Sequence, residues 1–140
     1  MMILGVRSML SDITRILKIF CLFALVDGVW LVVMGQRFYR YYLGYLFADS
    51  FAYSWAILFY MLYAVAVTHF IVVPYVIQSS VSVSRIFLEG FLFGFVVYSA
   101  YDLTNQATIK NWPLIVTIVD MLWGAALTGI VVVLAQRFIK

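Results

Sequence analysis

Four apolar stretches decide what this chain can become. They cover about residues 13–34, 51–73, 83–107 and 113–135. Each is roughly 20 residues long, enough for a helix to cross a hydrocarbon core of about 30 Å. Water cannot satisfy the backbone there, so such stretches must be helical. The expectation is an all-α fold, an integral membrane four-helix bundle making one domain over residues 1–140. Composition agrees. The chain is 66% hydrophobic and 11% charged, whereas about a quarter of a soluble domain is charged.

The segments between the apolar runs carry their own signals. Residues 1–12 read as an interfacial lead-in, with Met and Leu between Arg7 and Asp12. Arg7, Arg15 and Lys18 precede the first run as they would in a signal peptide. However, Phe23 to Asp27 offers no small-residue cleavage site, so the run is read as a retained span. Phe38, Tyr39, Tyr41, Tyr42, Tyr45 and Phe47 alternate with Arg37 and Arg40. That pattern suits an aromatic belt in the headgroup layer, over about residues 36–50. Asp49 and Ser50 are natural caps for the second helix, which should stop near Pro74. Gln78-Ser79-Ser80 marks a short loop. The third helix opens near Val83, with Arg85 and Glu89 one turn apart and able to pair. Lys110-Asn111-Trp112 forms the last loop, and Pro113 suits the first turn of the fourth helix.

Four crossings return both termini to one side. Arg7, Arg15, Lys18, Arg85, Arg137 and Lys140 fall on that side; Arg37, Arg40 and Lys110 fall on the other. The positive-inside rule then places both termini in the cytoplasm. The net charge of +3 is read as topology and contact with anionic headgroups, not as a nucleic-acid signal. A single cysteine, Cys21, and a single histidine, His69, leave no internal disulfide and no paired metal ligands. No metal and no cofactor is therefore expected. Cys21 is expected to be a small buried side chain, and His69 an interfacial anchor.

Three carboxylates interrupt the apolar runs, and they need a reason. An Asp at the centre of an isolated membrane helix costs roughly 2.5 to 3.5 kcal/mol. Asp27, Asp102 and Asp120 come from three different runs, yet the topology places all three in the non-cytoplasmic half. They should turn inward and meet donors there. Gly90, Gly94, Tyr98 and Asp102 recur at every fourth residue and share a face. Tyr101 and Asn105 form the next stripe. Asp120, Gly124 and Thr128 share a face on the last helix, with Trp123 beside it. Asp27-x-x-Trp30 matches Asp120-x-x-Trp123, and Tyr60-x-x-Tyr63 matches Tyr98-x-x-Tyr101. The candidate ligand-binding group is Asp27, Trp30, Tyr98, Tyr101, Asp102, Asn105, Asp120 and Trp123. Gly90, Gly94 and Gly124 are candidate packing positions, and the Gly90/Gly94 face offers itself to a second copy in a homodimer.

Tyr98-Ser-Ala-Tyr101-Asp102-Leu103-Thr104-Asn105, then Trp112-Pro113-Leu114, then Val119-Asp120-Met-Leu-Trp123-Gly124 form a specific series. With Asp27-x-x-Trp30, Phe38-Tyr39 and Phe59-Tyr60-x-x-Tyr63, the chain resembles the membrane proteins grouped as domain of unknown function 2177. The resemblance covers nearly the whole chain. It implies a small four-span protein of bacterial inner (plasma) membranes, and it carries no agreed activity or catalytic residue.

Three functional readings fit the residues. The first is binding of membrane lipid or another small amphiphile, with the acids at the polar end and Tyr and Trp rings along the apolar part. The second is a proton-coupled transporter or channel, working as a dimer. The third is an enzyme acting on lipid through paired carboxylates, the weakest because the chain has no Ser-His pairing, metal cluster or nucleotide loop. Against all three stands a structural reading, in which the acids tie helix ends and indoles together.

Overall fold

A computed structural model describes residues 2–78 and 80–139. The expectations that involve Ser79, Lys140 and the side chain of Arg7 lie outside the described residues. The chain forms α1 (Met2–Met34), α2 (Arg40–Leu43), α3 (Tyr53–Val67), α4 (Val83–Thr108) and α5 (Leu114–Ile139). Among the described residues there is no strand. Among them four helical runs are long and apolar enough to cross a membrane: Met9–Leu46, Tyr53–Val76, Val83–Thr108 and Leu114–Ile139.

The first run does not end at Met34. A π-turn, Gly35–Tyr39, joins α1 to α2, and a 3₁₀ turn, Gly44–Leu46, finishes it. The expected belt is therefore a continuation of the helix, and the described part of the lead-in, residues 2–12, is its first part. The 38 residues of Met9–Leu46 extend about 57 Å at 1.5 Å per residue, well beyond a bilayer core of about 30 Å. The expected caps are also displaced. Ala52 precedes α3 and no side chain caps it. Phe47 is extended, so Asp49 and Ser50 are used in carrying the chain over to α3.

Pro74 does not end the second run. The residues from Thr68 to Val76 widen into π geometry, and the Ile77 amide bonds the Val72 carbonyl at 3.1 Å. A widened turn absorbs a residue that has no N–H to offer the ladder. Ser82 caps α4 by accepting from the Arg85 amide at 3.3 Å, and Arg85 pairs with Glu89 as their spacing suggests. Between α4 and α5 the chain turns through Asn111, whose φ of 63° lies in the left-handed region that asparagine tolerates. Pro113 sits just before α5, its carbonyl accepting from the Val116 amide at 3.0 Å.

α5 is the most enclosed helix. Its Leu127, Val131, Val132 and Ala135 are fully buried against Ile19 and Phe23 of α1, Tyr63 and Val67 of α3, and Ile86 of α4. Large apolar side chains such as Val32, Trp55, Leu62 and Leu92 face outward, as they should where the surroundings are acyl chains. Cys21 is among the exposed residues, contrary to expectation. Its position on α1 turns it away from the Ile19–Phe23 stripe that packs inward. His69 is exposed and meets Phe70 edge to face.

Candidate functional site

α1 and α5 run antiparallel: Lys18, midway along α1, donates to the Phe138 carbonyl at the end of α5, at 2.7 Å, while Asp27, further along α1, meets Trp123, nearer the start of α5. That polarity brings Asp27 and Trp30 opposite Asp120 and Trp123, and the two short motifs interlock. The indoles of Trp30 and Trp123 stack with centroids 4.1 Å apart. Trp123 Nε1 donates to Asp27 Oδ1 at 2.7 Å. Trp30 Nε1 donates to the Tyr39 hydroxyl at 2.9 Å, and Tyr39 donates to Asp120 Oδ1. Tyr60 donates to the other oxygen of Asp27. Each indole thus serves the acid of the opposite helix, one directly and one through a phenol. Asp27 keeps 6% exposure with both oxygens satisfied.

Tyr39 was not among the candidate residues, and the reason is geometric. Nine residues separate it from Trp30, so at 100° each a regular helix would place it about 180° away. The π-turn Gly35–Tyr39 lowers the rotation per residue and brings Tyr39 round to the Asp120 side. Tyr60 did appear in the sequence as half of a repeated Tyr-x-x-Tyr. Its acid partner could not be read from that spacing.

The α4 face of Gly90, Gly94, Tyr98 and Asp102 packs on α5 of the same chain. A Cβ on Gly94 would overlap the Gly124 carbonyl oxygen, and one on Gly124 would enter the Tyr98 ring. α5 therefore already fills the glycine face that the sequence offered to a second copy. Beneath it the Tyr63 hydroxyl bonds Thr128 Oγ1 at 2.7 Å, and Thr128 donates to the Gly124 carbonyl at 2.8 Å. The Tyr63 ring also meets Tyr98 edge to face, with centroids 6.5 Å apart.

Asp102 and Asp120 are each six residues from the hairpin that joins their helices, so they share a level about 9 Å below it. Asp102 is 0% exposed, and neither of its oxygens has a hydrogen-bond partner. Asp120 is the acid at its level on α5. Asn105, one turn on, has an amide nitrogen that is buried without an acceptor. Tyr101 stands at the edge of this group, beside Asn105. It is 60% exposed and meets Trp112 edge to face, because it points about 100° away from Asp102 on α4.

A second polar group holds the hairpin. Trp112 Nε1 donates to Thr117 Oγ1 at 3.1 Å, Thr117 donates to Gln106 Oε1 at 3.0 Å, and Gln106 Nε2 donates to the Trp112 carbonyl at 3.2 Å. Leu43 of α2 packs on Trp112 and Val116, so the tip of the first run is seated on this hairpin. Gln106 and Thr117 were not singled out from the sequence, since each is an ordinary residue near a helix end.

Beside the network lie open clefts rather than a polar chamber. One, of about 580 Å³, is bounded by the end of the first run and the entry to α3. Leu31, Leu46, Phe47 and Phe51 supply apolar walls, and Gln36, Tyr39, Arg40 and Ser50 supply polar groups. Another, of about 540 Å³, runs along Leu25, Val29 and Val33 and exposes the edges of Trp30 and Trp123. Among the described residues no group of three or more His, Cys, Asp or Glu side chains could hold a metal ion.

Residues 13–136 match the model of the family described as predicted membrane protein (DUF2177), and the chain belongs to that family. Comparison with curated proteins and with solved structures gives no match.

Proposed function

We propose that this member of the family binds a lipid or other small amphiphile with an anionic head, in the cleft between Leu31 and Ala52. The observation that carries the reading is the double role of Tyr39. It lines that cleft, and its hydroxyl links Trp30 to Asp120 inside the bundle. A ligand in the cleft would touch a residue that connects the surface to Asp120.

Charge supports the class of ligand. Arg40 is the charged residue lining the cleft, and its guanidinium can take a phosphate or carboxylate in bidentate fashion. Gln36 and Ser50 add neutral partners, while Phe47 and Phe51 suit an acyl chain entering from the bilayer. The acids themselves are poor direct ligands for such a head. Asp27 and Asp102 are closed off, and Asp27 and Asp120 already accept from phenols and an indole. They act as the support behind Tyr39.

The same reading includes orientation. The protein resides in a bacterial inner membrane with both termini in the cytoplasm, the side on which Arg15, Lys18, Arg85 and Arg137 cluster. The cleft then opens in the outer leaflet.

Retention of phosphatidylglycerol by purified protein, read by native mass spectrometry, tests the proposal. Arg40→Gln should lower retention about tenfold, a change of 1.4 kcal/mol, while Lys110→Gln should leave it unchanged. Equal retention by wild type and Arg40→Gln overturns the assignment of the cleft.

A further inference from the structure

The donors in the interior are unevenly shared. Asp27 accepts at both oxygens, from Trp123 and Tyr60, and Asp120 accepts from Tyr39. Asp102 is the least exposed of the three, and no described donor reaches either oxygen. Among the described residues no Lys, Arg or His pairs with it. The groups that act on it or stand beside it are Asp120 from α5 and, on its own helix, Tyr101 and Asn105. Tyr39, from the end of the first run, is committed to Asp120.

An ionised carboxylate in such a place would lack water, donors and a counter-charge, and it would face a second carboxylate. Each of these disfavours the charged form. The neutral acid has only the smaller cost of an unpaired hydroxyl and carbonyl. Two carboxyls that share a level in a poorly solvated hairpin also ionise as a pair, with the first charge opposing the second. The donors fix which member is charged: Asp120, bonded by Tyr39, is the better anion.

We propose that Asp102 is a proton-binding site, holding its proton on the carboxyl at neutral pH while Asp120 carries the negative charge. The ligand is the proton itself. Binding forms one O–H bond on Asp102 and removes one negative charge from the α4–α5 interface, and no other bond changes. This inference stands apart from the cleft and would survive the failure of lipid binding there.

The test is infrared spectroscopy of the full chain in lipid nanodiscs at pH 7, with ¹³C-labelled aspartate carboxyls. Wild type should show a neutral-carboxyl C=O stretch that moves with the label. Asp102→Asn should abolish that band, and Asp27→Asn should retain it. Should Asp102→Asn fail to fold, Asp102→Glu serves instead: the labelled aspartyl band should disappear, replaced by an unlabelled glutamyl band. A wild-type spectrum without a labelled neutral-carboxyl band overturns the proposal, as does a band that persists in both Asp102 variants.

Discussion

Trp30 and Trp123, from antiparallel helices, stack with their planes 7° from parallel, and each serves the acid of the other's motif, Trp123 directly and Trp30 through Tyr39. Ring stacking alone is worth about 0.5 to 1.5 kcal/mol. Here it also aims two N–H groups, one at Asp27 directly and one at Tyr39. An apolar medium makes both bonds matter, since water is not there to replace them.

Trp123→Phe keeps a ring in the stack and removes the donor to Asp27 Oδ1. Stability in bicelles should fall by about 1 to 3 kcal/mol, the usual cost of leaving a buried acceptor unsatisfied. Trp30→Phe loses a donor to a hydroxyl and should cost less, about 0.6 to 1.7 kcal/mol. The stacked indoles should also give an exciton couplet in circular dichroism. Either variant should abolish it, and a couplet that survives both would refute the stack.

Tyr39 and Asp120 should be energetically coupled. A double-mutant cycle with Tyr39→Phe and Asp120→Asn, read by equilibrium unfolding, is expected to give an interaction energy of about 0.5 to 3 kcal/mol. Additive effects would mean that the π-turn does not bring the phenol to the acid.

The glycines separate into two classes. Gly94→Ala should cost roughly 1 to 3 kcal/mol, because its methyl would have to displace the Gly124 carbonyl. Gly28 meets nothing within 4 Å of an added Cβ, so Gly28→Ala should stay within about 0.5 kcal/mol of wild type. Equal effects at the two positions would contradict the α4–α5 contact.

The hairpin latch has a local signature. Thr117→Val removes the acceptor for Trp112 and the donor to Gln106. Amide exchange should accelerate at Ile109 and Trp112, whose N–H groups bond within the turn, while the Leu127–Val132 segment keeps its protection. Uniform acceleration along α4 and α5 would show that the latch is part of the global core.

Much of this fold is legible in the sequence, for a simple reason. Runs of about 20 apolar residues have one structural solution in a bilayer, and Asp27, Asp102 and Asp120 stand out against them. The repeat of Asp-x-x-Trp was visible too, but its spacing did not say that the two helices meet; the stacked indoles show it. What stayed hidden depends on departures from regular helix. Tyr39 reaches Asp120 only because a π-turn changes its heading. Pro74 looks like a stop, yet a widened turn carries the helix past it. Helix faces were hard to read for another reason: α3 and α5 are apolar all round, so hydrophobic periodicity does not mark the buried side. Tyr101 illustrates this: one residue's rotation from Asp102 leaves its ring 60% exposed beside Trp112.

Site-resolved photocrosslinking tests the cleft most directly. A phosphatidylglycerol carrying a photoreactive acyl chain is incorporated into nanodiscs with the full chain, and labelled residues are mapped by mass spectrometry. The account predicts labelling concentrated on Leu31, Phe47 and Phe51, displaced by excess unlabelled phosphatidylglycerol and reduced in Arg40→Gln. Labelling spread evenly over outward residues such as Trp55, Leu62 and Leu92, with no displacement and no effect of Arg40→Gln, would contradict it.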